Sequence, residues 1–210
     1  MSATRMETRL NFTASKPPDG KVCFSLGIKA MSSNVSFDSQ PILRGELVEL
    51  RPLRAEDWDE LYAVAADPLI WQQHPVSNRH EETIFRGFFH DALASGGAFA
   101  VLDARTRRVI GSSRFHAYDK ERSEVEIGWT FLARSHWGGA YNREMKRLML
   151  QHAFRFVSSV VFLVGLHNIR SQRAMEKIGG IRIGTRPDAT GRESYIYQIT
   201  AAQFGLRKSL

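Results

Sequence analysis

One cysteine, Cys23, stands in the whole chain of 210 residues. A lone thiol cannot close an internal disulfide, and the scattered histidines leave no metal-ligand spacing. The fold must therefore rest on a hydrophobic core, which a chain of this length can bury. A reducing, intracellular setting is the simplest expectation. No uninterrupted apolar run approaches the ~20 residues that a membrane-spanning helix requires. Also missing is a basic stripe interleaved with aromatics. The net charge is +7, but the bases alternate with acids, as in Lys120, Glu121, Arg122 and Glu124. Such a balance suits an anionic cosubstrate or acidic partners, and direct nucleic-acid binding is not expected. What is present, 43% hydrophobic and 24% charged residues, is the composition of an ordinary soluble globular domain.

Residues 1–40 show no period and contain the turn Pro17-Pro18-Asp19-Gly20. They read as a disordered or loosely attached extension. Two other readings stay open: a true start at Met31, and an organellar transit peptide. Residues 41–210 read as one folded domain.

Within that domain Glu46–Leu50 alternates as a strand, and a helix runs from Arg54 to about Ala66, where Asp67-Pro68 stops it. A loop with Trp71, His74 and Pro75 leads to a helix over Glu81–Ala94. Three strands follow with short links, Ala98–Asp103, Val109–Tyr118 and Ser123–Leu132, which implies an antiparallel meander. In the third, Val125, Ile127, Trp129 and Phe131 should share one face, and Glu124, Glu126, Gly128 and Thr130 the other. After a helix over Tyr141–Phe156, the continuous apolar run Val160–Leu166 reads as a strand buried on both faces. Asn168 opens a helix to about Ile178. Ile181–Thr185 and Ser194–Ile199 are the last strands, and Thr200–Leu206 forms a final turn of helix. The predicted class is a mixed α/β sheet.

The chain is organised around Ser135–Phe156. Gly138 and Gly139 form a tight turn between a strand and a helix whose apolar face is Met145, Leu148, Met149, Ala153 and Phe156. A helix start leaves backbone N–H groups unpaired and carries partial positive charge. It is a ready seat for a phosphate.

The string Trp137–Phe154, WGGAYNREMKRLMLQHAF, resembles the coenzyme A signature of the GNAT acetyltransferases. Within that superfamily it is most similar to the branch named for ribosomal-protein N-terminal alanine and serine acetyltransferases. Glu126-Ile127-Gly128-Trp129 ahead of it and Asn168–Gly179 behind it fit the same pattern in order and spacing. The resemblance covers about Leu43 to Thr200. It implies the GNAT fold, a mostly antiparallel central sheet with splayed central strands flanked by helices. The cofactor gap would lie between Ser123–Leu132 and Val160–Leu166.

What the resemblance implies for function is acetyl transfer from acetyl-CoA to a primary amine, by direct attack in a ternary complex and without a metal. The acceptor would be a protein N-terminus or a small molecule such as an amino acid, a polyamine or an antibiotic. The protein would be cytoplasmic, and a monomer or homodimer. Gly138, Gly139 and Ala140 would cradle the pyrophosphate beside Trp137, and Tyr141 and Asn142, which open the helix, would offer more N–H groups. Where the family has Gln or Arg, three residues before the first glycine, stands Ser135, and the adjacent Arg134 would substitute. Asn168 would hold the pantetheine arm while capping its helix, and Arg170 and Arg173 could meet phosphates. Glu126 is the candidate general base, with Glu124 as fallback. An exposed Glu126 paired with a base such as Arg114 is the structural alternative. Ser171 is the candidate general acid. Trp71, His74, Pro75, Phe115 and His116 could line the acceptor pocket, although Trp71 also reads as core. His136 and His167 read as structural. A rival from another class is a non-catalytic acyl-CoA-binding sensor or scaffold, which would keep the glycine loop without needing Glu126.

Overall fold

A computed structural model of the chain describes residues 36–188 and 191–206. The chain divides into two units, Met1–Asn34 and Val35–Leu210, of which the second is described here. Cys23 and most of the expected extension lie outside the described residues. Phe37 to Gln40 are packed onto the domain. Phe37 stacks on Tyr118 and meets Phe115 and Phe156 edge-on, and the Gln40 side chain donates to the Ala98 carbonyl.

Among the described residues eight strands form one sheet, β1 Leu43–Arg44, β2 Val48–Pro52, β3 Ala98–Asp103, β4 Val109–Asp119, β5 Glu124–Leu132, β6 Ser159–Gly165, β7 Ile181–Pro187 and β8 Glu193–Thr200. Their order is β1-β2-β3-β4-β5-β6-β8-β7. Every neighbouring pair is antiparallel except β5 and β6, which run parallel and pair only over Glu124–Glu126 against Ser159–Val161. Beyond Glu126 the two strands part. The helices are α1 Trp58–Ala65, α2 Pro68–Trp71, α3 Glu82–Ala94, α4 Ala140–Ala153, α5 Ile169–Ile178 and α6 Ala201–Leu206. The architecture is the mixed α/β sheet that the sequence predicts.

Two apolar layers flank the sheet. On one face Met145, Met149, Leu150 and Ala153 of α4 pack on Val125, Ile127, Phe99, Val101 and Phe162. On the other, Leu61, Ala65, Phe85, Phe88 and Phe89 of the first helices pack on Ala98, Ala100, Leu102 and Phe131. Each fully buried large side chain contributes on the order of 1.5–3 kcal/mol. Helix α4 is also tied to the sheet edge by one carboxylate. Glu144 accepts the N–H groups of Glu46, Leu47 and Val48 at 3.1, 2.7 and 2.9 Å.

Two local expectations need correction. The loop after Asp67-Pro68 opens with a helical turn, α2. Pro68 is pre-set for a first helical position and the Asp67 carboxylate accepts the Leu69 N–H at 3.0 Å, so the pair that ends α1 also starts a new turn. The strict alternation of β5 also fails. Trp129 has φ +50, and two residues of β5, Trp129 and Thr130, oppose one of β4, Ser113, between the pairs Ser112–Phe131 and Arg114–Gly128. This bulge flips the strand. Val125 and Ile127 face α4, whereas Phe131 and Trp129 join the layer under α1 and α3.

Candidate active site

A cleft of 1120 Å³ opens where β5 and β6 part. One rim is the turn before α4. There Gly138 and Gly139 adopt φ +103 and +112, values that a side chain resists, and a Cβ at either glycine would meet nothing within 4 Å. Backbone conformation, not space, therefore requires glycine there. The first internal bond of α4 runs from the Arg143 N–H to the Gly139 carbonyl at 2.9 Å. The N–H groups of Ala140, Tyr141 and Asn142 precede it and have no intrahelical acceptor. Arg134, Arg143, Arg170, Arg173 and Lys177 add positive charge along the walls.

Glu126 sits at the fork, in the last residue pair before the strands separate. It is 6% exposed, and its Oε2 accepts from Arg186 Nη2 of β7 at 3.1 Å. Its partner is thus Arg186 and not Arg114. Burial pushes the carboxyl above its ordinary value, and the Arg186 charge offsets part of that rise. Across the β4–β5 ladder Glu126 faces His116, whose ring lies edge-on to Trp129 at 4.8 Å. Glu124 is turned elsewhere, bonded by the Ser159 hydroxyl at 3.3 Å.

At the end of β6, Asn168 is buried, and its side-chain oxygen accepts the Ser171 N–H at 3.1 Å as the cap of α5. Its amide nitrogen remains to donate. Arg170 ties α5 to the first helices. Its backbone N–H donates to Gln73 Oε1 at 3.0 Å, its guanidinium donates to the Ile70 carbonyl, and it lies 4.2 Å over the ring of Trp137. Gly165 of β6 touches Pro75 of the α2–α3 loop, where an added Cβ would come within 2.7 Å of the proline ring.

The cleft brings together Glu126, Ser171, Arg134, Trp137, Gly138, Gly139, Asn142, Asn168, Arg173, Trp71 and His116. Ala140 and Tyr141 are not among its lining. The Tyr141 hydroxyl turns away to donate to Asp103 Oδ2 at 3.1 Å, with its ring against His136. Arg134 is shared with an ion pair to Asp67. Trp71 belongs to both settings: its ring is core, anchored by Nε1–H to the Ala65 carbonyl at 2.7 Å, and one edge reaches the cleft.

Three lining residues escape sequence reasoning: Lys146, Arg186 and Arg79. Lys146 is 2% exposed, and its ammonium reaches Thr130 Oγ1 at 2.6 Å and Ser113 Oγ at 3.4 Å. Burial alone brings its pKa down to about 7. A signal existed. Lys146 lies three, four and seven residues before Met149, Leu150 and Ala153, on the buried stripe of α4. No group of three His, Cys, Asp or Glu side chains among the described residues could hold a metal ion. No helix among them is long and apolar enough to cross a membrane.

Comparison with known proteins agrees with this fold. A GCN5-related N-acetyltransferase from Brucella melitensis is 22% identical, with a TM-score of 0.68 over 81% of this chain and 83% of that one. RimJ of Mycobacterium smegmatis, solved with CoA-disulfide, is 18% identical, with a TM-score of 0.59 over 74% and 83%. Spermidine N-acetyltransferase from Vibrio cholerae, solved with CoA and spermine, is 15% identical, with a TM-score of 0.59 over 76% and 99%. No curated protein matches the sequence. The profile of the acetyltransferase (GNAT) domain matches residues 48–181, well over half of the chain, and the protein belongs to the GNAT acetyltransferases.

Proposed function

We propose that the protein transfers the acetyl group of acetyl-CoA directly to a primary amine in a ternary complex. The diphosphate sits on the free N–H groups that open α4, held by the Gly138–Gly139 turn. The pantetheine arm lies between the parted strands and meets the Asn168 amide. The acceptor enters from the side of the α2–α3 loop.

The amine nitrogen attacks the thioester carbonyl carbon and the C–S bond breaks. The nitrogen's proton passes to Glu126, directly or through water. The sulfur leaves as thiolate and takes a proton from solvent or from the Ser171 hydroxyl. The charges of Glu126 and Arg186 are opposed across the cleft, so the base is held in place before substrate arrives. The single observation that carries this reading is the position of Glu126, buried at the fork of β5 and β6 with its basicity raised.

The acceptor class is a protein N-terminus or a small amine. A screen of peptides beginning with Ala or Ser, polyamines and amino acids, read by thiol release from acetyl-CoA, tests it. Amine-dependent thiol release supports the proposal. Tight coenzyme binding with no turnover on any amine would point instead to a coenzyme-binding module.

A further inference from the structure

One guanidinium in the cleft wall, Arg79, and one beside it, Arg114, are held without an acid. Arg114 of β4 is 5% exposed, and its Nε and Nη2 have no hydrogen-bond partner. It lies 4.6 Å from the ring of Trp129, which lines the cleft, and 5.8 Å from that of Phe88. Arg79 lines the cleft itself and flanks the same Phe88 ring at 4.7 Å. Neither guanidinium forms an ion pair among the described residues. Asp91, the acid that acts on Arg114 through space, is exposed on α3 and does not reach it.

The neighbouring imidazole does not supply the missing acceptor. His74 Nδ1 takes the Val76 N–H at 2.9 Å, and a backbone N–H can only donate. The one lone pair of the neutral ring is thereby used. His74 Nε2, 3.2 Å from Arg79 Nη1, must then carry its hydrogen, so donor faces donor. Burial and the Arg79 charge keep this ring neutral, against the weaker opposing pull of the Val76 N–H and of the Asp188 carboxylate in the cleft wall. Two donors thus face each other with no acceptor between them, and the Arg114 charge bears on Arg79 through space. Buried cations without an acceptor are unfavourable unless a ligand completes them. The planar fork of arginine fits a two-oxygen anion.

The site lies beside the proposed base. Arg114 and Gly128 form the residue pair next along the ladder, on the same face, from the pair of His116 and Glu126. We infer that the acceptor is a small amine that also carries an oxyanion, a carboxylate in the first instance, read by Arg79 and Arg114 while its nitrogen faces Glu126. The inference rests on the acetyltransferase reading of the cleft and narrows its substrate. A polycationic amine would meet repulsion there.

The test uses matched acceptors with the full-length protein: glycine, β-alanine, 4-aminobutanoate and 5-aminopentanoate against their amides, and phosphoethanolamine against ethanolamine. The acid that fits should exceed its amide by about 10²-fold in kcat/KM. In Arg79→Met and Arg114→Met that advantage should shrink to within about threefold, chiefly through KM. A larger advantage for phosphoethanolamine over ethanolamine than for any acid over its amide would assign the anion as phosphate and overturn the carboxylate. Should Arg114→Met fail to fold, Arg79→Met and calorimetric titration of the N-acetylated acids into CoA-saturated protein decide. Equal efficiency for acids and amides would overturn the anion site and leave the transferase standing. Carboxylate binding that vanishes in Arg79→Met, with no turnover on any amine, would uphold the anion site and overturn the transferase.

Discussion

The Glu126 carboxylate and the Arg186 guanidinium meet at 3.1 Å across the mouth of the cleft, joining the fork of β5 and β6 to strand β7, 60 residues on. The pair sets two opposing influences on one proton acceptor. Burial raises its basicity, and the cation restrains the rise and fixes the orientation.

Glu126→Gln should lower acetyl transfer by roughly 10²-fold or more while coenzyme binding persists. A base works ionised, so the wild-type rate should climb as pH rises through a Glu126 pKa above the usual 4.5. The acidic limb of kcat/KM should therefore lie above that value and disappear in the variant. The folded-state pKa is raised, so between the unfolded and folded values native stability falls as pH rises. Glu126→Gln removes that loss, and its melting temperature at neutral pH should not drop. Intact coenzyme affinity with unchanged turnover would take Glu126 out of the mechanism.

Lys146→Met should stabilise the fold, most of all at and below neutral pH. The folded-state pKa is about 7 against an ordinary 10.5, so between those values the unfolded chain holds more protons. Wild-type stability should then rise with pH across that window, by an amount on the order of a few kcal/mol. Below it the full cost of the buried cation is present. Denaturant melts of both proteins at pH 6 and pH 10 check this. The gap between them should narrow at pH 10.

Gly139→Ala should cost about 1–3 kcal/mol from backbone conformation alone, because φ is +112 and the space around a Cβ is open. Distortion carried into the bound loop weakens CoA roughly tenfold for each 1.4 kcal/mol. Calorimetry with CoA and a thermal melt separate the two effects. A variant that binds CoA as wild type does would remove this turn from the coenzyme site.

Glu144→Ala leaves three backbone donors at the β1–β2 turn without their acceptor. The expected loss is about 1–3 kcal/mol, read as earlier hydrogen exchange at Glu46–Val48 and a lower melting temperature. Activity per folded molecule should hold, since Glu144 does not line the cleft.

Local periodicity carried most of the fold. The helices over Glu82–Ala94 and Ala140–Ala153 and the meander Ala98–Leu132 follow from spacing that 3.6- and 2-residue periods impose. The glycine turn and the flanking segments also brought the cleft lining into view. What was not legible depends on long-range placement. A tryptophan at φ +50 is not a residue type that announces a bulge, so the face switch of β5 could not be read from its alternation. Arg186 pairs with Glu126 only because β7 and β5 meet the same cleft. Arg79 and Arg114 each look like ordinary solvated bases until the structure shows Arg114 buried with two orphaned nitrogens and Arg79 half-buried beside a histidine and not an acid. The place of the Tyr141 hydroxyl is long-range for the same reason: Asp103, 38 residues earlier, accepts it.

The contact between Gly165 and Pro75 joins the wall along which the coenzyme would run to the loop that borders the acceptor. Because an added carbon at Gly165 would press on the Pro75 ring, steric thickness there bears directly on the spacing of the two substrates. Evolution or design could widen the entrance for bulkier amines by trimming the proline. Thickening the glycine would press the loop outward and misalign nucleophile and thioester together.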